Sequence, residues 1–207
     1  MKNAEYAAIA QKLLPHIPRF AIEAPLILRT PVGEVLSAIC FDHSEDPRDF
    51  YVWAFFLPMC LPCEDVTFTF GRMLRRPNRH LCWSADSDEL IQELRFVIAN
   101  EALPFLSQVN GPIDLVDYIA NNSNMANPHS RDAIAFSLAR AGRTNESLVA
   151  FDDLLRGLDL GIFWQRGLSE RALAFKRLLE TDPDQAQRQL DAWTDESLRN
   201  LNLEKYR

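Results

Sequence analysis

The sequence predicts an α+β fold in which an antiparallel sheet flanked by helices is followed by an all-helical region of antiparallel hairpins. Short apolar runs, rich in aromatic and β-branched residues and separated by polar loops, fill the first part of the chain. From residue 87 onward apolar residues recur at helical spacing. Because the predicted strands are joined by short connections, an antiparallel meander is favoured over a parallel sheet. We divide the chain into an α+β domain, residues 1–107, and a helical hairpin region, residues 108–207, which could together form one compact unit.

The first half begins with a helix and continues as strands. Residues 3–14 carry an apolar stripe at helical spacing, which Pro15 ends. Strands are predicted at residues 25–30, 34–41, 50–57, 65–70 and 80–84. The 50–57 run is apolar on both faces, which favours a central strand covered on both sides. The 65–70 run alternates apolar residues with threonines, as a strand with one buried face does.

The second half is predicted to be helical. Helices are expected at residues 87–106, 112–121, 130–141, 144–156, 169–180, 183–193 and 195–203. Residues 130–132 (Ser-Arg-Asp) are expected to cap the third of these helices, and Gly142 to end it. Asp182, followed by Pro183 at the first helical position, predicts the start of a later helix.

Two of the predicted helical hairpins align at an offset of 39 residues. Residues 133–136 (Ala-Ile-Ala-Phe) match residues 172–175 (Ala-Leu-Ala-Phe). Further along, Ser147, Phe151 and Leu154 match Ala186, Leu190 and Trp193. Each copy is expected to be a helix, a tight turn and a second helix.

The first hairpin resembles a tetratricopeptide hairpin. Leu138, Gly142 and Phe151 stand near the positions where that family places a large residue, a turn glycine and an aromatic residue. The resemblance covers residues 130–157, and more loosely residues 170–193. The second hairpin departs from the pattern at Arg177 and Thr181. Since tetratricopeptide hairpins stack into a groove that binds peptides or proteins, the resemblance implies a partner-binding surface; hairpins that serve packing alone are the alternative.

Charge and composition restrict the kind of partner. The chain has 29 acidic and 22 basic side chains, a net charge of −7, which argues against nucleic-acid binding and against an anionic membrane surface. Residues 1–107 hold 14 acidic and 10 basic side chains, and residues 108–207 hold 15 and 12, so the halves carry −4 and −3. The most apolar run, residues 50–63, is too short to span a membrane. We expect a cytoplasmic protein without a signal peptide.

The cysteines form one motif of reactive shape, Cys60-Leu-Pro-Cys63. The residues after it are acidic and strand-like, which disfavours a dithiol redox centre. Zinc bound by Cys60 and Cys63, with Cys40 and Cys82 as further ligands, is a weaker alternative. Buried, inert thiols are the expectation, and no metal or cofactor is predicted.

An acidic loop and a basic cluster are the candidate binding residues of the first half. Asp42 and His43, with nearby carboxylates in the 42–49 loop, could hold a metal or serve acid–base chemistry, or could simply be solvated. The basic cluster contains Arg72, Arg75, Arg76 and Arg79. It could dock an acidic partner or a phosphate, since arginine makes bidentate contacts. Alternatively, it protects a sheet edge and pairs with the acidic loop.

The sequence favours a binding function over catalysis. It contains neither a glycine-rich phosphate loop nor a Gly-x-Ser-x-Gly elbow. The leading hypothesis is a non-enzymatic, acidic protein-interaction module, such as an adaptor or an immunity- or inhibitor-like protein, with a protein partner. The alternative is a small-molecule-binding protein or enzyme whose site lies at the aromatic sheet near the 42–49 loop.

Overall fold

The computed structural model describes residues 2–77 and 80–207 and has the predicted α+β class. The chain folds into two compact units. The sheet unit consists of Met1–Leu57, Thr67–Gln108 and Lys205–Arg207, and the helical unit of Pro58–Val66 and Val109–Glu204. The short segment after the longest strand therefore belongs to the helical unit, and the last three residues belong to the sheet unit.

The sheet unit is an antiparallel sheet with three helices. Helix α1 (Asn3–Leu13) is followed by a 3₁₀ turn (Leu14–His16) and by strands β1 (Phe20–Glu23), β2 (Leu26–Arg29), β3 (Val35–His43), β4 (Asp49–Pro58), β5 (Phe70–Leu74) and β6 (Trp83–Ser84). The strand order is β1-β2-β3-β4-β5, and β6 pairs with β4. Helices α2 (Leu90–Val97) and α3 (Leu103–Leu106) follow, joined by a π-helical segment (Ile98–Ala102). The predicted strands at 25–30, 34–41 and 50–57 are confirmed as β2, β3 and β4.

Three aromatic rings fasten α1 to the sheet. Tyr6 stacks on Phe41 of β3 at 5.9 Å between ring centroids and meets Phe50 of β4 edge-on at 6.0 Å. Phe41 and Phe50 also meet edge-on, at 5.6 Å. Since all three side chains are almost completely buried, this triangle contributes several kcal/mol of apolar burial, at about 1.5–3 kcal/mol per large side chain.

The strand predictions need two corrections. Strand β1 is a strand that the sequence did not predict. The 65–70 run is not a strand, since only its last residue, Phe70, enters β5. The alternation of apolar residues there has a different cause. Phe68 lies parallel to Trp53 at 4.8 Å and edge-on to Phe55 at 5.4 Å. Ring packing of Phe68 on β4, without a ladder of backbone hydrogen bonds, holds this segment against the strand.

The helical unit contains α4 (Pro112–Asn122), α5 (Pro128–Arg140), α6 (Thr144–Arg156), α7 (Phe163–Thr181) and α8 (Pro183–Asn200). Helix α7 begins at Phe163, six residues before the predicted start at Ser169. Helix α8 is continuous where two helices were predicted. The Thr194 hydroxyl donates to the Leu190 carbonyl one turn back, at 2.9 Å, so it lies inside the helix and does not cap a new one. Within the described residues, no helix is long and apolar enough to cross a membrane.

The helix ends follow capping chemistry. Asp182 is the N-cap of α8, as predicted, and accepts a hydrogen bond from the Gln185 amide at 2.9 Å. Gly142 ends the α5 hairpin arm with φ of +72°, a conformation that favours glycine. The N-cap of α5 is Asn127 instead of the predicted residues 130–132, which frees Asp132 for another contact.

The positions aligned at the 39-residue offset meet in one core. The Phe136 ring of α5 contacts three other rings. Its centroid lies 4.9 Å from those of Phe151 of α6 and Phe175 of α7, and 5.7 Å from that of Trp193 of α8. Most of the matched small residues are buried, although Ala174, which matches Ala135, is exposed. Ser147 donates its hydroxyl to the Ala135 carbonyl at 2.8 Å. The internal repeat is therefore a repeat of core positions, with small residues where helices approach closely and rings between them.

Truncation of two phenylalanines of the helical unit should change the free energy of unfolding by very different amounts. Phe136→Ala opens a cavity among three rings and is expected to lower the free energy of unfolding by about 3–5 kcal/mol. Phe163→Ala removes a side chain that is 86% exposed. This substitution should change the free energy of unfolding by no more than about 0.5 kcal/mol. Urea unfolding followed by circular dichroism measures both. Equal effects of the two substitutions would contradict this packing.

Candidate functional site

The acidic loop of the sheet unit borders a cleft. His43 Nδ1 lies 3.4 Å from the Asp42 carboxylate, and the His43 side chain is 84% exposed. The cleft, of about 570 Å³, is lined by His43, Ser44, Glu45, Asp46, Asp49, Tyr51 and Cys82. Cys82, which is hydrogen-bonded to Tyr51, is the main cause of the raised pKa of the Tyr51 hydroxyl. In the described part of the chain, no three histidine, cysteine or carboxylate side chains are grouped to hold a metal ion.

The basic cluster is largely engaged within the sheet unit. Arg76 forms an ion pair with Glu93 of α2 at 2.8 Å, and both side chains are mostly buried. Arg72 donates to the Glu101 carbonyl at 2.8 Å and lies 5.0 Å over the Phe105 ring. These partners lie on the helical segment that follows the strands, not on the 42–49 loop. Arg75 is exposed, and the predicted site residue Arg79 lies outside the described residues.

The Cys60 and Cys63 motif is held by packing and hydrogen bonding within the helical unit. Cys60 is part of the core of the helical unit, and the amide of Cys63 donates to the Ser197 hydroxyl of α8 at 3.3 Å. Burial raises the pKa of the Cys63 thiol, and in the sheet unit burial raises that of Cys40 to about 12. Since the thiolate is both the nucleophile and the metal ligand, these two environments disfavour both roles.

A buried ion pair that the sequence reading missed joins two hairpins. Arg171 Nη2 of α7 lies 2.6 Å from Asp132 Oδ2 of α5, and the Asp132 side chain is only 4% exposed. Burial raises the pKa of Asp132 to about 6, although Arg171 opposes this shift. Asp132 Oδ1 and Arg171 Nε have no hydrogen-bond partner within the described residues. The two positions are separated by the repeat offset, which is the signal that could have identified the pair.

A second contact between the same helices involves aromatic rings. His129, in the first turn of α5, stacks on Trp164 of α7 at 5.0 Å with an interplanar angle of 10°. Burial, and to a lesser extent Arg171, lowers the pKa of His129. The imidazole is therefore neutral at pH 7, which suits a stacked and partly buried position.

The connection from α6 to α7 and the first turn of α7 expose large apolar side chains. The 160–164 segment has exposed fractions of 55% at Leu160, 38% at Ile162, 86% at Phe163 and 45% at Trp164. Such side chains are normally buried, so a group of them in solvent is informative. The sequence reading began α7 at Ser169 and therefore left these residues in a connection.

A cleft of about 440 Å³ lies on α5 and α6. It is lined by Met125, Arg131, Ile134, Ala150, Asp153, Arg156 and Gly157. The Arg131 guanidinium donates to the carbonyls of Met125, at 2.7 Å, and Asp153, at 3.3 Å. A Cβ atom on Gly157 would lie 1.6 Å from Arg131 Nη1, so glycine is needed for this close approach.

The charge of the chain is divided unequally between the two units. The sheet unit contains 12 acidic and 12 basic side chains, and the helical unit contains 17 and 10. The entire net charge of −7 therefore belongs to the helical unit. The nearly even division found for residues 1–107 and 108–207 arises because Glu64 and Asp65 fold with the helices, whereas Lys205 and Arg207 fold with the sheet.

The buried carboxyl group of Asp132 should titrate far from the ordinary range. Carbon-13 NMR is expected to show its midpoint at about 6, against roughly 3.9 for an ordinary aspartate. Since the folded-state pKa exceeds the unfolded-state value, the stabilising contribution of Asp132 is present at low pH and is lost as the pH rises from about 4 to about 6. The stability of the wild type relative to Asp132→Asn should fall over that window.

Arg171→Met is the companion test, because Arg171 is the group that lowers the Asp132 pKa. Its removal should move the midpoint to still higher pH. An Asp132 midpoint at about 4 in the wild type would contradict the buried pair.

The chain matches no protein-family model, no curated protein and no solved structure.

Proposed function

We propose that this chain is a non-enzymatic protein-interaction module, of the adaptor or immunity- and inhibitor-like kind, which binds a partner protein through its helical unit. The observation that carries the proposal is the exposure of four large apolar side chains in the 160–164 segment, with Phe163 86% in solvent. Contiguous apolar surface is typical of protein-binding sites. Aromatic residues in particular act as the anchors of interfaces.

The contacts of the segment support this role, because they hold it in place before any partner arrives. Trp164 is stacked on His129. The Asp159 amide donates to the Gln165 side chain at 2.7 Å, and the Arg166 guanidinium donates to the Leu160 carbonyl at 3.2 Å. A surface fixed in this way loses little conformational entropy on binding. The resemblance of the α5 and α6 hairpin to tetratricopeptide hairpins supports the same role.

A second candidate is a small-molecule-binding site in the sheet unit. The cleft of about 570 Å³ beside the 42–49 loop supports it, since its volume falls within the roughly 300–1,000 Å³ typical of ligand pockets. Its carboxylates favour a small cation, such as an aliphatic diamine.

Affinity capture with matched variants tests the leading proposal. Tagged wild-type chain should retain a specific protein from lysate of the native host, and Phe163→Ser should lose it. Phe96→Ser is the control, because Phe96 is also exposed, at 58%, but lies in the sheet unit. Quantitative mass spectrometry measures the retained proteins. Retention unchanged by Phe163→Ser, or lost equally in both variants, would refute a docking role for the 160–164 segment.

Thermal unfolding with a panel of aliphatic diamines tests the second candidate. A ligand in the cleft of the sheet unit should raise the Tm by about 2–4 °C. This rise should disappear in Asp49→Asn, which alters the cleft, and persist in Asp88→Asn, whose side chain is exposed elsewhere in that unit. If no diamine changes the Tm of the wild type, the cationic site is ruled out.

A further inference from the structure

We infer that the cleft on α5 and α6 binds a small organic acid, in which an apolar body carries a carboxylate group that Arg131 holds. This site goes beyond the proposed interaction function and does not depend on it, since the described lining of the cleft contains no residue of the 160–164 segment. The inference rests on the fixed position of the Arg131 guanidinium, on its lack of a carboxylate partner among the described residues, and on the apolar side chains that adjoin it.

The Arg131 guanidinium is held in place before any ligand arrives. Its Nε donates to the Met125 carbonyl at 2.7 Å, its Nη1 to the Asp153 carbonyl at 3.3 Å and its Nη2 to the Ala126 carbonyl at 3.5 Å. The group also lies against Gly157, where a Cβ atom would come within 1.6 Å of Nη1. A binding group that is fixed in this way loses little conformational freedom when a ligand binds.

The same guanidinium can still bind an anion. It carries five N–H donors, of which backbone carbonyls accept three. Among the described residues no carboxylate forms an ion pair with Arg131. Asp153, the acidic residue that lines the cleft, pairs instead with Arg156 at 3.0 Å. Two N–H donors therefore remain for a ligand carboxylate, which a guanidinium binds through paired, charge-assisted hydrogen bonds.

Contact with Arg131, and not a positive field, selects the carboxylate. The lining residues include Arg131, Arg156 and Asp153, and Asp159, in the connection after α6, adds a second negative charge, so the nearby charges cancel. The helical unit as a whole carries −7. At physiological ionic strength the Debye length is about 8 Å. The more distant negative charges therefore slow the approach of an anion more than they weaken its contact with the guanidinium.

Apolar side chains line the cleft beside Arg131. Ile134 lies one helical turn further along α5, Ala150 lies on α6, and Met125, which is 42% exposed, precedes α5. From Ala150 to Gly157 the cleft extends over seven residues, or about 10 Å. Its volume of about 440 Å³ falls within the roughly 300–1,000 Å³ typical of small-ligand pockets. A phenyl ring on a short alkyl chain matches this size, with its carboxylate at Arg131.

Three small molecules that share one apolar body test the inference. Phenylbutyrate, phenylbutyramide and phenylbutylamine carry a carboxylate, a neutral amide and an ammonium group on the same phenylalkyl chain. Methyl-detected NMR titration of the full chain should show phenylbutyrate binding at least about tenfold more tightly than the amide, as expected for hydrogen bonds to a charged group, and more tightly than the amine. The methyl signals of Ile134 and Met125 should shift, whereas that of Ile22 in the sheet unit should not.

Two glycine variants test the part of Arg131. Gly157→Ala should displace the guanidinium, because the new methyl group would overlap Nη1, and should abolish the preference for the carboxylate over the amide. The backbone of Gly157, with φ of −95°, admits alanine. Gly167→Ala of α7, where a Cβ atom has open space, is the matched control and should bind as the wild type does. Arg131→Gln should also abolish the preference.

Four results of the titration would each overturn the inference: equal affinity for the carboxylate and the amide, tighter binding of the amine, no binding of phenylbutyrate, or binding that leaves the Ile134 methyl signal unchanged. A preference for the carboxylate that persists in both Gly157→Ala and Arg131→Gln would overturn it as well. Since Phe163 is not among the lining residues, partner capture that depends on Phe163 would leave the proposed interaction function standing in each case.

Discussion

The aromatic junction around Phe136 is the interaction on which the helical unit depends. Four rings from α5, α6, α7 and α8 meet there, with centroid distances of 4.9 to 5.8 Å. Small residues such as Ser147 and Ala186 let the helices approach closely around it. The large apolar residues of the helix interiors fill this junction, whereas Leu160, Ile162, Phe163 and Trp164 lie outside it and are exposed.

The buried Asp132 and Arg171 pair adds specificity to this packing. Such a pair contributes little net stability, since the cost of desolvating two charges offsets their attraction. It does, however, favour the facing of Asp132 and Arg171, because the Asp132 carboxylate alone would be buried without a charged partner. The stack of His129 on Trp164 lies one turn from that pair on α5 and thereby inherits a defined geometry. Trp164 of the 160–164 segment is thus held against α5 close to this polar contact.

The sequence predicted most of the elements because their patterns are local. The strands β2, β3 and β4 and the helices of the repeat are read from periodicity, and Asp182 and Gly142 from capping chemistry. The errors have two origins, a tertiary ring contact and a hydrogen bond inside a helix. Phe68 alternates as in a strand but packs its ring on Trp53 without strand pairing. Two helices were predicted on either side of Thr194, but its hydroxyl bonds back to Leu190 within the continuous α8.

The candidate site was less predictable than the fold. Asp42, His43 and the arginine cluster were singled out for their charge, yet Arg72 and Arg76 are engaged within their own unit. Exposure of Phe163 cannot be read from periodicity, since it depends on which rings fill the core. The sequence did contain the Asp132 and Arg171 pair, at the repeat offset, but opposite charges at aligned positions acquire meaning only once the helices are known to face each other.

Amide hydrogen–deuterium exchange of the chain, alone and bound to its captured partner, tests the central claim most directly, because it locates the contact without altering any residue. If the helical unit docks its partner through the exposed segment, exchange should slow in residues 157–166 and in the first turn of α5. Protection confined to the 42–49 loop of the sheet unit, with residues 157–166 exchanging at an unchanged rate, would contradict the account.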